Sequence, residues 1–155
     1  MELSAAAARA VIDSNSYMTL GTADESGRPW VSPVWFAHSG YREFLWVSSP
    51  DAQHSRNLAA RPEVSIVIFD SQVAPADAEA VYVSARAEEL FGDDLEPGIE
   101  VFSRKSQSDG LPAYSRMEVE EPATLRLYHA VATEHFALAA GSRRIAVDPT
   151  QEGLA

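Results

Sequence analysis

The side chains best placed to do chemistry gather in SSPDAQHSRNLAARP, residues 48–62. Ser49 reads as an N-cap, Pro50 as the first helical residue and Asp51 as a first-turn acid. A helix starting there, straight after the apolar run Phe44-Leu45-Trp46-Val47, presents free backbone N–H groups and the positive end of its dipole, which together favour a phosphate. His54 and Arg56 sit just beyond that end, and Ser48 and Ser49 add hydroxyl donors. The same residues also suit a capped surface helix with a solvated His and Arg, and spacing alone leaves both readings open.

Other constellations are thinner. His129 and His135 lie six positions apart on an expected strand, hence on one face, with Glu134 adjacent. Two histidines that far apart do not converge on one ion, and a metal needs three or four ligands, so no metal site is expected. No G-x-S-x-G elbow, Walker loop or G-x-G-x-x-G turn occurs. The serines stand in turns and caps, where their hydroxyls have local work. Without cysteine there is no thiol nucleophile and no disulfide, so redox chemistry requires a bound cofactor. No catalytic side chain is assigned.

Composition narrows the partners. The net charge is −11, from 23 acidic against 12 basic residues, a field that repels nucleic-acid backbones and anionic membranes. Any anion must be captured locally, by a basic set that is Arg except for Lys105. The N-terminus lacks a signal-peptide pattern and no apolar run reaches the roughly 18 residues of a membrane span, so a cytoplasmic location is the default.

The elements that must position these residues read as follows. Ser4–Ser14 is an Ala-rich helix capped by Ser4 and anchored by Val11 and Ile12. Tyr17–Ala23, Trp30–Ala37 and Glu43–Ser48 read as three consecutive strands of an antiparallel meander, with Gly27 in the first turn. The 48–62 helix follows, ended by Arg61-Pro62. Glu63–Asp70 is an apolar strand, and residues 79–90 alternate Val81, Val83, Ala85 and Ala87 against Tyr82, Ser84, Arg86 and Glu88. Residues 92–121 have a helical centre near Ile99–Lys105 and read as a lid or packing segment. The chain closes on a long hairpin divided near Gly141-Ser142. The expectation is one domain over residues 1–155, of α+β class and mainly β: a closed or nearly closed barrel of six to seven mostly antiparallel strands with two or three helices.

The ordered set from MTLGTADESGRPWVSPVWF through LWVSSPDAQHSRNLAARPEVSIVIFD to VYVSARAEEL resembles the pyridoxamine 5'-phosphate oxidase-like family of FMN-binding split barrels. The resemblance runs from about Tyr17 to Leu90, with a weaker echo in LRLYHAVATEHFAL. It implies a homodimer with FMN in an interface groove. On that resemblance, the strand Ser32, Pro33, Val34, Trp35, Phe36, Ala37 runs beside the flavin ring, while Val47 and Ser48 lie near the ribityl chain and phosphate. Gln53 and His54 fall where the family commonly has a basic pair, Arg56 is an auxiliary contact, and Ala80 to Tyr82 belong to the partner-facing strand. It further implies an oxidoreductase passing hydride through flavin N5 to or from a small molecule bounded by Trp35 or Tyr82. Ser32, Ala37, Gln53 and His54 replace fixed charges of the pyridoxamine phosphate oxidases, and their C-terminal substrate segment has no counterpart, so vitamin B6 oxidation is not expected. Alternatives within the superfamily are the deazaflavin F420, whose acidic tail Arg143 and Arg144 would meet, a haem held by His129 or His135, which is disfavoured, and a non-catalytic flavin-binding or stress-associated protein.

Overall fold

A computed structural model describes residues 4–151; the chain ends at 1–3 and 152–155, included in the expected single domain, lie outside the described residues. Helix α1 (Ala5–Ser14) starts where the Ser4 hydroxyl accepts from the Ala7 amide at 3.1 Å, and it buries Ala8, Val11 and Ile12. Strand β1 (Tyr17–Ala23) turns through Gly27, whose φ of 86° favours glycine, into β2 (Pro29–Trp35). Short β3 (Ala37–Ser39) pairs with β4 (Glu43–Ser48). Helix α2 (Gln53–Ala60) leads to β5 (Glu63–Phe69) and β6 (Ala80–Glu89). Helices α3 (Leu95–Ser108) and α4 (Arg116–Val119) precede the hairpin of β7 (Arg126–Ala139) and β8 (Arg143–Ala146).

All eight strands form one curled antiparallel sheet in the order β2-β1-β5-β6-β7-β4-β3, with β8 on β7. The fold is the expected mainly-β split barrel. Strand β8 is the expected second arm of the closing hairpin; short β3 is an additional strand, and the single turn of α4 adds to the helices.

The three-strand meander is corrected. The expected strand Trp30–Ala37 ends at Trp35; Phe36 leaves it, and Ala37 opens β3 at the opposite edge of the sheet. The last bond on the β1 side runs from the Phe36 amide to the Ser16 carbonyl at 3.2 Å; Phe36 then buries its side chain in the barrel and the next residue, Ala37, pairs with Leu45 of β4. The chain thus runs from one sheet edge directly to the other, and covalent continuity draws the edges together.

Two apolar clusters result. Inside the curl lie Met18, Leu20, Val34, Phe44, Trp46, Ile66, Ile68, Val81 and Val83, with α1 and Leu58 of α2 closing the ends. The alternation expected for β6 holds, since Val81, Val83, Ala85 and Ala87 are buried. Outside it, α3 lays Leu95, Ile99 and Phe102 over Leu45, Leu90 and Leu127. Residues 92–121 are therefore a packing segment whose helix is longer than its predicted centre. Among the described residues no helix is long and apolar enough to cross a membrane.

Candidate functional site

Helix α2 starts later than its sequence suggested. Ala52 is the N-cap and has no side-chain hydrogen bond; Ser49 instead accepts from the Asp51 amide at 3.1 Å and closes a turn through Ala52 N–H, also at 3.1 Å. Ser-Pro-Asp-Ala thus forms a lead-in turn, because Ser49 can satisfy a local amide more cheaply than it can organise a helix. The shift makes Gln53 the first helical residue and His54 the second. The C-terminal end is as expected, at Arg61 before Pro62.

The delayed start seats the His54 ring between two strands. Its Nε2 lies 2.7 Å from the Ser48 hydroxyl of β4, and its Nδ1 lies 3.2 Å from the Ser32 hydroxyl of β2. No ladder joins β2 to β4. His54 therefore spans the seam of the barrel. A neutral imidazole donates through one nitrogen and accepts through the other, so both hydroxyls are satisfied without a charge. Burial lowers the pKa of His54 below the ordinary histidine value, and it is the sole cause of the shift. At neutral pH the ring is uncharged.

Around it, Gln53 donates to Asn57 Oδ1 at 2.6 Å, and Arg56 donates to Gln53 Oε1 at 2.8 Å. Buried Asn57 in turn donates to the Thr22 hydroxyl of β1 at 3.1 Å, pinning α2 to the barrel wall. A cleft of about 390 Å³ opens beside Gln53, Arg56 and Asn57, walled on its far side by Asp24, Glu25 and Ser26 of the β1–β2 turn. The Ser26 hydroxyl, with the Arg28 and Ser26 amides, holds the Asp24 carboxyl below its usual pKa, so that wall is anionic.

The structure thus brings together Ser32, Ser48, Gln53, His54 and Arg56. The rest of the expected strand is divided: Pro33 is exposed, Val34 points into the barrel, and Phe36 and Ala37 are buried at the crossover. Trp35 belongs to α3, with the Phe102 ring edge-on at 5.3 Å and the Lys105 ammonium 5.9 Å away. Val47 also packs on that cluster. Ala80 and Tyr82 lie on β6, three strands from β2 along the sheet, and Tyr82 is capped by the Arg144 guanidinium at 3.9 Å. One chain does not bring them to His54.

Sequence reading missed Thr22 and Asn57. The signal was a polar residue beside Leu58 on the buried side of α2, but its partner lies 35 positions away. It also missed a buttress at the other end of the seam, where Asp13 accepts from Tyr41 at 2.7 Å and lies 2.8 Å from His38 Nε2.

The expected common face of His129 and His135 is overturned. A bulge between Ser84 and Ala85 leaves Thr133 unpaired, so His135 pairs with core-facing Val83 while His129 pairs with outward Glu88. The added residue inverts the alternation, and the two imidazoles point to opposite sides. His129 sits 3.1 Å from Glu88 and His135 lies 2.8 Å from the Tyr41 carbonyl oxygen. Among the described residues no three His, Cys, Asp or Glu gather as metal ligands would.

With this geometry in hand, a family profile for pyridoxamine 5'-phosphate oxidase matches residues 4–133. The chain belongs to the pyridoxamine 5'-phosphate oxidase family. Comparison with curated protein sequences gave no match. Solved structures share the fold of this family member. A haem-binding protein from Mycobacterium smegmatis is 22% identical with a TM-score of 0.71, over 90% of this chain and 55% of that one, so the chain spans about half of its length. The haem storage protein HutZ of Vibrio cholerae is 23% identical at TM-score 0.67, over 88% and 94% of the two chains. An F420 reductase is 20% identical at TM-score 0.55, over 77% and 87%. Proteins that share this fold thus carry names for different ligands, and the fold alone does not choose for this one.

Proposed function

We propose that this chain is a flavin-dependent oxidoreductase, with FMN the first candidate and F420 the alternative, acting on a small molecule. The observation that carries this reading is the convergence of β2, β4 and α2 on one half-buried polar seam, where the Ser32 and Ser48 hydroxyls meet the two nitrogens of the His54 ring near the start of α2. Those groups suit the hydroxyl-bearing chain of a flavin. On the face of β2 opposite Ser32, exposed Val31 and Pro33 leave an open shelf that would suit a flat ring. The fit is poorer at the phosphate: His54 is neutral, and Arg56 is the nearest cation.

A bound flavin would supply hydride transfer, which explains why no acid–base constellation accompanies the seam. The chain's own residues bind and orient. Ser32 and Ser48 hold the polar chain, α2 closes one end, and Trp35, fixed by Phe102, limits how far a ring slides toward α3. No side chain is assigned a proton to move.

A second copy completes the groove in this reading. Tyr17, Val31 and Phe69 are large apolar side chains exposed by 60%, 68% and 45%, and Tyr17 and Val31 share the β1–β2 face opposite Met18 and Val34. Such a surface suits burial against a partner. Ala80 and Tyr82 would then contribute across the interface.

A second reading is a ligand without a phosphate, favoured by the scarcity of cations at the seam. Absorbance and mass spectrometry of copurified small molecules, followed by titration with FMN, F420 and haem, test both. Flavin bound and reduced by NAD(P)H supports the oxidoreductase, and flavin bound but inert toward every donor supports a binding protein. A folded protein that takes up no flavin or deazaflavin overturns the reading. Simultaneous His54→Ala and Arg56→Ala is expected to weaken flavin binding, and an unchanged titration would place the polar chain elsewhere.

A further inference from the structure

The start of α2 is a helix terminus stripped of the charge that would make it a phosphate trap. Its cap is Ala52, with no side-chain hydrogen bond. His54 spends both ring nitrogens on Ser32 and Ser48. Gln53 stands at the first helical position, its amide engaged by Asn57 and Arg56. Arg56 is exposed, bound to Gln53 Oε1, and shares its cleft with Asp24 and Glu25. A phosphomonoester carries close to two negative charges above about pH 7. In the cleft beside α2 it would meet the Arg56 guanidinium and the carboxylates of Asp24 and Glu25, while the Arg61 guanidinium is engaged on the Glu25 carbonyl oxygen at 2.9 Å.

The same site is generous to hydroxyls. Serine hydroxyls and a neutral imidazole each donate and accept, so they exchange partners with a polyol without stranding a buried group. On the flavin reading above, on which this inference rests, we propose that the seam is built for the uncharged polyol end of a flavin, and that the chain takes riboflavin at least as readily as FMN. The acidic wall and the net charge of −11 act in the same sense, since both raise the electrostatic cost of bringing in a dianion. Discrimination then comes from repulsion of the phosphorylated ligand rather than from an added contact to the plain one.

The test is flavin-fluorescence titration of the full chain with riboflavin and with FMN, at low ionic strength and about pH 8, where FMN is dianionic. The native chain is expected to bind riboflavin within about threefold of FMN or tighter, because no charge-assisted contact rewards the phosphate. Inorganic phosphate is expected not to compete with riboflavin. Gln53→Arg, which places a guanidinium at the first helical position, is expected to tighten FMN by about tenfold or more and to leave riboflavin unchanged. Native binding of FMN more than about threefold tighter than riboflavin would overturn the proposal, as would competition by phosphate. An FMN affinity unmoved by Gln53→Arg, in a protein of native melting temperature, would put the ligand terminus elsewhere and overturn it as well. A folded chain that quenches neither flavin defeats the underlying flavin reading, an outcome distinct from either of these.

Discussion

Strands β2 and β4 supply the two hydroxyls that hold His54, yet they are covered very differently. Strand β4 is buried on both sides: Phe44 and Trp46 face the barrel interior, and Leu45 faces the cluster beneath α3, all with no exposed surface. Strand β2 is buried on one side only. Val34 faces the interior, while Val31 and Pro33 face outward and are exposed. The seam therefore has one fixed wall and one open wall. On the proposed function, a ligand or second chain would approach from the β2 side, with β4 the rigid reference.

The comparison is broken most severely from within β4. Trp46→Ala is expected to cost about 3–5 kcal/mol, because the void left against Tyr128 and Phe44 cannot collapse between two covered faces. Chemical denaturation measures this, and a loss below about 1 kcal/mol would mean that burial on both sides is not what anchors the wall. Phe102→Ala strips the outer cover instead. Its cost is expected at about 3 kcal/mol, and hydrogen exchange should show α3 amides losing protection while the β4–β7 ladder keeps its own. Uniform loss of protection would show that cover and barrel unfold as one unit.

On the open wall the expected result is reversed. Val31→Asp should change monomer stability by less than about 0.5 kcal/mol, since the side chain is already in water, but should abolish self-association in sedimentation. A dimer that survives the charge would move the second copy to another face.

A smaller effect concerns the seam itself. The folded-state pKa of His54 is depressed by burial, so the unfolded chain binds more protons in the window below the ordinary histidine value. Stability is then full above about pH 6.5 and falls as pH drops through the folded value. His54→Gln, which keeps a donor and an acceptor, should flatten that part of the profile, and identical profiles for both proteins would refute the assignment. Smallest of all, Arg86→Gln at the exposed Glu63 pair should cost less than about 0.5 kcal/mol and vanish in high salt.

Much of the fold was legible because it rests on periodicity. The alternation in β6, the Ser4 cap, the Gly27 turn and the Pro62 stop are each encoded within a few residues, and all appear as expected. The misreadings arise where packing, a competing turn or a bulge overrides a regular pattern. Phe36 turns into the barrel interior at the end of its strand, Ser49 is drawn into its own turn, and one bulged residue turns His129 and His135 apart.

For the site, sequence alone determined which residues stand near the start of α2 and that few are charged, since both follow from order and composition. It also determined that net negative charge confines any anion to a local grip. Only the tertiary structure decided that His54 bridges Ser32 and Ser48, that Asp24 and Glu25 wall the same cleft, and that β2 is left open where β4 is sealed. These depend on β2 and β4 meeting across a seam without a ladder, and no local pattern of residues specifies where such an unpaired approach occurs.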